Sequence, residues 1–333
     1  MNISPLNEPE HLAAAQKGSS EAFAALVEPY RKPLLVHCYR LTGSLEDAED
    51  VVQDTFIRAW HKVSSFLGDG SFRNWLYTIA TRLWLDVVRK RKKQVLLPLD
   101  GSPADPNSPF TPPTAPAAWL DPLPQTWLAS SDISTESAYE LKESVSLAFM
   151  VALQKLNAHQ RVVLILRLVF HWQAKEVAEA LGMSVASVNN HLYRARKNLS
   201  VYTSEEPPLP NQQLNKFVTA WESGDVNGLI DLLHTKATFA MPPMGVWYAG
   251  SGSIRQALQN FVFMPGVEWK LEKTMANGRS AFAIYQRSKQ IQPYQAFGLI
   301  LPIFSGEEGR ITEITAFLSP HLIERFGLPI QLD

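Results

Sequence analysis

Apolar positions recur at helical spacing through residues 10–94 and again through 136–202, with few strand signals in either block. The pattern changes over 211–328. Two or three short helices there give way to apolar, β-branched runs such as FAIYQRSKQ, YQAFGLILPIF and RITEITAFL, separated by Gly-containing turns. Between the helical blocks, residues 98–135 carry a proline every few positions. Proline removes backbone donors and forbids a continuous helix, so this stretch reads as an extended linker. It holds Trp119, Leu120 and Trp127, which an inert spacer would not need. A shorter break, TSEEPPLPN, covers 203–211. The predicted fold class is multi-domain: two all-α modules at 10–97 and 136–202, then an α+β domain at 211–328.

In the first block a helix is predicted over 45–64. Ser44 is its N-cap and Asp47, at the third helical position, suits a capping-box-like arrangement. Val52, Phe56, Ala59 and Val63 form its buried stripe. Asp47, Asp50 and Asp54 fall on another face. That face is either simply solvated near a helix N-terminus, where the dipole favours it, or a docking surface for a basic partner. A Gly68-Asp69-Gly70 loop then leads into a helix capped by Ser71, with Phe72, Leu76, Ile79, Leu83 and Val87 as core stripe. Trp75, Tyr77 and Trp84 lie partly off that stripe, interleaved with Arg73, Arg82 and Arg89, and five cations close the helix at 89–93. Aromatic faces beside cations are what binding of unpaired bases requires. Core packing and a dipole-complementing cation run explain the same residues separately.

In the second block, Val177, Ala178 and Leu181 end a short helix, Gly182 turns the chain, and Ser184 caps a helix whose Val185, Val188, Leu192 and Ala195 face inward. This is the layout of a helix-turn-helix. Its outer face presents Ser187, Asn190, His191 and Arg194. Asn can bond adenine bidentately and Arg can bond guanine or phosphate, with Arg196 and Lys197 beside the backbone.

Composition narrows the classes. The 333 residues carry 31 Lys plus Arg against 32 Asp plus Glu, which excludes a uniformly basic coat protein. The charge is asymmetric: 13 basic and 11 acidic groups over 1–97, none and 4 over 98–135, 8 and 5 over 136–200, and 10 and 12 over 201–333. The single cysteine, Cys38, sits in an apolar helical stretch and excludes an intramolecular disulfide or a cysteine metal site. No apolar run reaches the ~18 residues of a membrane helix. The N-terminus lacks the basic and apolar parts of a signal peptide, so a soluble, cytoplasmic protein is expected.

The two helical blocks together resemble the extracytoplasmic-function class of sigma-70 family RNA polymerase sigma factors. DAEDVVQDTFIRAWHKVSSF resembles their core-binding helix, FLGDGSFRNWLYTIA with LDVVRKRKK their promoter −10 segment, and residues 153–199 their region 4 with its −35 reader. The resemblance implies partners and roles. Asp47, Asp50, Gln53 and Asp54 would dock on core RNA polymerase. Phe66, Gly68, Asp69, Phe72, Arg73, Trp75, Tyr77, Arg82 and Arg89 would handle melted −10 DNA. Ser187, Asn190, His191, Arg194, Arg196 and Lys197 would read −35 duplex. Position 82 departs from the family pattern, being Arg where Asn is usual.

The tail, with the cue WESGDVNGLIDLLHTKATFAMPP, resembles the SnoaL-like or NTF2-like fold, a curved sheet wrapped on helices around a conical pocket. Members with this extension and a Trp-Leu-Asp-Pro element like 119–122 form recognised subgroups. Enzymes of the fold use an Asp or His base in an apolar cone, which makes Asp231, His234 and His321 candidates and Phe239, Met241, Trp247, Tyr248, Trp269 and Tyr285 the lining. A helical surface pair and ordinary core aromatics explain these residues more simply. No catalysis, cofactor or metal is expected. The tail is expected to act in cis through contact with the sigma modules, gripping Trp119–Pro122. The alternative is a helix-turn-helix regulator fused to a ligand-binding or cyclase-like domain.

Overall fold

The computed structural model describes residues 8–68, 71–91, 96–108, 119–128, 143–199, 211–288, 291–305 and 309–333. The chain divides into two compact units, Met1–Val95 with Trp127–Thr203, and Leu96–Thr126 with Ser204–Asp333.

The first unit is all α. It begins with α1 (Glu8–Gln16), α2 (Ser20–Thr42), α3 (Leu45–Lys62, then a 3-10 turn Val63–Ser65) and α4 (Phe72–Arg91). Ser19 and Ser44 cap α2 and α3 by accepting from the Ala22 and Asp47 amides. α2 closes on Gly43 at φ 72°, whose N–H bonds the Tyr39 carbonyl. A short helix α5 (Gln125–Leu128) precedes α6 (Leu147–Gln154), α7 (Ala158–Leu164, ending in a π turn Ile165–Val169), α8 (Ala174–Leu181) and α9 (Val185–Leu199). Asn157 and Gln160 form a reciprocal capping box on α7. Gly182 ends α8 in the left-handed region at φ 64°. Val188, Leu192 and Ala195 of α9 are buried as expected, but Val185, in its first turn, is exposed.

The two helical blocks share a core. The His37 ring of α2 packs against Tyr77 of α4 (4.9 Å) and Phe170 after α7 (5.2 Å), and its Nε2 sits 3.0 Å from Thr81 Oγ1. Arg40 donates to the carbonyl and hydroxyl of Ser144, and Arg161 to the Leu41 carbonyl. Cys38 is fully buried in this core, and burial pushes its thiol well above the usual range.

The second unit is α+β. α10 (Asn211–Glu222) and α11 (Val226–Leu232) lead into β1 (Leu233–Ala240) and β2 (Trp247–Ala249). Then come α12 (Ser251–Ala257, ending in a π turn Leu258–Val262), β3 (Val267–Ala276), β4 (Arg279–Ser288), β5 (Ile291–Ser305), β6 (Arg310–Phe317), α13 (His321–Arg325) and β7 (Gln331–Leu332). The strand order is β2-β1-β6-β5-β4-β3, with β7 on β5; among the described strands of this sheet β1–β6 is the parallel pair. The Asn277-Gly278 turn of the β3–β4 hairpin has both residues at positive φ, 52° and 75°, the primed geometry that matches strand twist. Gly298 lies beside a register shift in the β4–β5 ladder and close to the end of β6, where a Cβ would lie 2.0 Å from the Phe317 carbonyl oxygen.

The proline-rich segment is part of this unit rather than a free spacer. Leu120 and Leu123 are fully buried. The Leu120 amide bonds the Leu96 carbonyl (3.0 Å), the Ala104 amide bonds the Trp247 carbonyl (2.8 Å), and Asn260 donates to the Pro106 carbonyl (2.9 Å). Pro124 bridges to Ala276 at the end of β3.

Candidate nucleic-acid interface and the tether-bound tail

Along α3, the buried face carries Val51, Val52, Thr55 and Ala59, which turns Asp50, Gln53 and Asp54 to solvent. Asp47 is half-buried at the capped end. The acidic face is therefore a surface stripe on a rigid helix.

Where α4 begins, three rings meet. Phe66 lies 5.6 Å from Phe72 and 5.1 Å from Trp75, and Phe72 lies 5.4 Å from Trp75. Phe72 is buried, while Phe66 and Trp75 stay half-exposed beside Gly68, which is open at φ 78°. Asp69 lies outside the described residues. This leaves a partly open aromatic cluster of the kind on which an unpaired base can stack.

The rest of the −10 set is arranged differently from expectation. Tyr77 is 1% exposed, packed on His37 and Phe170, so it is core and presents no ring to DNA. Trp84 is buried as well, with the Arg161 guanidinium 5.3 Å above its ring. Both lie inside because α4 is sandwiched between α2 and the second helical block, which broadens its buried stripe. Arg73 stacks over Tyr77 (5.1 Å) and Phe170 (5.5 Å). Arg82 donates to the Ala180 carbonyl (2.6 Å) and the Glu179 carbonyl (3.3 Å) at the C-terminal end of α8. Arg89 is exposed, 3.7 Å from Asp86.

On α9, Asn190, Arg194, Arg196 and Lys197 are exposed and Ser187 is half-buried, its amide donating to Ser184 Oγ. His191 stacks on His159 at 5.7 Å; partial burial, then His159 and Arg194, lower its pKa. Sequence reading missed Tyr193, 69% exposed and one turn beyond Asn189 and Asn190; its exposure is the signal, and the helical spacing alone carries it. It also missed Arg40 and Arg161, which read as ordinary helical cations yet are buried.

In the tail, Phe239, Met241, Tyr248 and Trp269 join one apolar core with Phe217, Trp221 and Phe282. Those rings fill the cone: Phe217–Trp221 at 5.6 Å, Phe217–Phe282 at 6.0 Å, Trp221–Phe239 at 6.5 Å. Other expected lining residues lie elsewhere. Trp247 alternates with the buried Tyr248 and is only half-buried, its carbonyl accepting from the Ala104 amide. Tyr285 alternates with the inward Ile284, its hydroxyl donates to the Pro329 carbonyl, and burial pushes its pKa up to about 12. Asp231 and His234 are exposed at the end of α11 and the start of β1. The Asp231 carbonyl accepts from Arg310, and His234 Nδ1 accepts from the Lys236 amide. His321 is exposed too. A general base in an apolar cone is therefore not what these three residues form. Asp231 and Arg310 instead border an open groove of ≈ 830 Å³. Among the described residues no His, Cys, Asp or Glu cluster could hold a metal, and no helix is long and apolar enough to cross a membrane.

The tether contacts the tail at both ends of the sheet order, at β2 and at the β3–β4 turn. Asn277 Oδ1 accepts from the Leu123 amide and the Asn277 amide donates to the Leu123 carbonyl, both at 2.9 Å. A Cβ added at Gly245 would lie 3.7 Å from the Trp119 ring, so the ring passes close over this glycine.

Three family models match in order: Sigma-70 region 2 over residues 26–94, Sigma-70 region 4 over 146–199 and a SnoaL-like domain over 214–314. The ECF RNA polymerase sigma factor SigG of Mycobacterium tuberculosis is 38% identical over 322 residues, covering 93% of this chain and 85% of SigG. The chain belongs to the ECF RNA polymerase sigma factors. M. tuberculosis SigJ is 32% identical over 64% of the chain and 62% of its own length. The crystal structure of SigJ matches with TM-score 0.59 at 22% identity, covering 91% of this chain and 98% of SigJ, which shows the shared fold. ECF sigma factors are initiation factors without catalysis of their own; they bind core RNA polymerase and direct it to promoter DNA. The helical unit supplies the sigma modules and the second unit the SnoaL-like extension.

Proposed function

We propose that this sigma factor acts in the cytoplasm and is controlled in cis by its own SnoaL-like domain, which holds the tether between the two DNA-facing modules. The observation that carries this reading is the reciprocal pair of hydrogen bonds between Leu123 and Asn277. A free 31-residue tether, 96–126, could span about 100 Å when fully extended. Pinned at Leu96, Ala104, Pro106, Leu120 and Leu123, it loses that reach. The separation needed to engage −10 and −35 DNA together then depends on release of the tether from the tail.

Within this reading residues 10–97 work on polymerase and −10 DNA, 98–135 form the tether, 136–202 read −35 DNA and 211–328 regulate. Asp47, Asp50, Gln53 and Asp54 meet a basic polymerase surface. Phe66, Gly68, Phe72 and Trp75 cradle a melted base, with Arg73, Arg82 and Arg89 on phosphates. Ser187, Asn190, His191, Arg194, Arg196 and Lys197 read and position the −35 duplex.

The test is run-off transcription with purified core enzyme, comparing the full chain with a truncation after Leu199 and with full-length Asn277→Gly. Both changes are expected to raise transcript yield at limiting sigma factor. Equal yield from all three overturns control in cis, and a truncation that initiates at unrelated sequences overturns the residue assignment.

A further inference from the structure

The two helical modules are joined by arginines whose acceptors are neutral. Arg40 is fully buried, and its partners are the Ser144 carbonyl and hydroxyl with the Phe170 ring at 5.9 Å. Arg161 is buried among the carbonyls of Leu41, Gln154 and Leu156, the Gln154 side chain and the Trp84 ring. Among the described residues neither has a carboxylate partner. Burial lowers both pKa values, to about 10. Burying a cation without a counter-charge is costly, so this interface is held by many polar contacts and opposed by desolvation.

Arg73 and Arg82 extend the same seam at its edge. Arg82 spans from α4 to the last carbonyls of α8, where the helix dipole places about half a negative charge. Arg73 lies on the Phe170 ring. A phosphate offers each guanidinium a full charge and bidentate geometry, which neither a carbonyl nor a ring matches.

We propose that the modules carry their own latch, in which α8 and Phe170 hold Arg82 and Arg73 in the closed unit and single-stranded DNA opens it by competing for the same two arginines. The proposal rests on assigning these residues to the −10 face. It also accounts for the unusual Arg at position 82, since an Asn there could not reach the α8 carbonyls. A chain that is closed most of the time binds DNA more weakly by the fraction that is open.

The test uses the full chain, hydrogen–deuterium exchange, and a mixed-sequence 20-nucleotide single strand as probe. Phe170→Ala and Ser144→Ala weaken the latch without touching a DNA-facing residue. Both are expected to raise exchange over 36–44 and 143–156 and to tighten binding of the single strand about 3- to 10-fold. DNA added to the unmodified chain should raise exchange over the same segments. If Phe170→Ala loses its cooperative melting transition, Ser144→Ala decides alone. Unchanged exchange and affinity overturn the latch. Arg82→Ala should raise exchange yet bind the strand several-fold more weakly; raised exchange with full affinity overturns the competition, and with it the −10 assignment.

Discussion

Leu123 and Asn277 exchange two hydrogen bonds of 2.9 Å across 154 residues of sequence, one through the Asn side chain and one through its backbone. Asn277 can do this because the hairpin turn holds it at φ 52°, a region Asn tolerates better than most residues. The turn that closes β3 on β4 is therefore also the clasp on the tether.

Replacing Asn277 by Gly keeps the turn and removes the acceptor. The buried Leu123 amide then has no partner, which costs about 1–3 kcal/mol. Tether release is expected, read as faster amide exchange at 119–126 while the β3–β4 hairpin stays protected.

Leu123→Ala removes a fully buried side chain from the same contact. The expected loss is about 2–5 kcal/mol in denaturant unfolding of the tail, with proteolysis appearing first within 98–126. Gly298→Ala attacks the sheet instead. The Cβ 2.0 Å from Phe317 O forces the β5 and β6 backbones apart, and a drop in the melting temperature of the tail checks it.

On α9, Asn190→Ala is expected to lose about 1–3 kcal/mol of discrimination between cognate and altered −35 duplexes. Arg196→Ala should weaken binding to all sequences alike and reduce the salt slope by about 1. Competition binding at two salt concentrations separates the two.

His37 is fully buried beside Arg40 and Arg73. Desolvation first, then those two cations, lower its pKa to about 3 from an ordinary 6.5. The native state thus resists protonation that the unfolded chain accepts. Stability is unaffected by His37 above about pH 6.5 and falls as pH drops from there toward 3, by up to about 1.4 kcal/mol per unit. His37→Gln should flatten this slope in denaturation curves at pH 7 and pH 5.

Asp50→Lys and Asp54→Lys change exposed positions of α3. Folding stability should shift by no more than about 0.5 kcal/mol. Affinity for core polymerase should fall at least several-fold and depend on salt, measured by titration with labelled full-length chain.

Local pattern made the helices, their caps, the Gly182 turn and the strand-rich tail legible, because 3.6- and 2-residue periodicities and cap chemistry act over a few residues. Ser44, Phe72, Leu76, Val188 and Leu192 sit where that pattern puts them. Burial of Tyr77 and Trp84 was not legible, since it depends on a second surface, around Arg161 and Phe170, arriving from the other helical block. The same holds for Arg40 and Arg161, whose sequence neighbours do not announce the carbonyls that receive them.

The chain order of hydrophobic period, breaker and cap was enough to specify two α-helical modules, a proline-rich tether and an α+β tail. Side-chain periodicity is a property of each element alone, so no partner is needed to read it. Whether the tether floats or docks, whether the cone is open or filled by Phe217, Trp221 and Phe282, and whether Arg82 meets DNA or α8 were decided only by folding. Those outcomes depend on which surfaces meet across long sequence separations, and burial energy between distant segments leaves no periodic trace in either one.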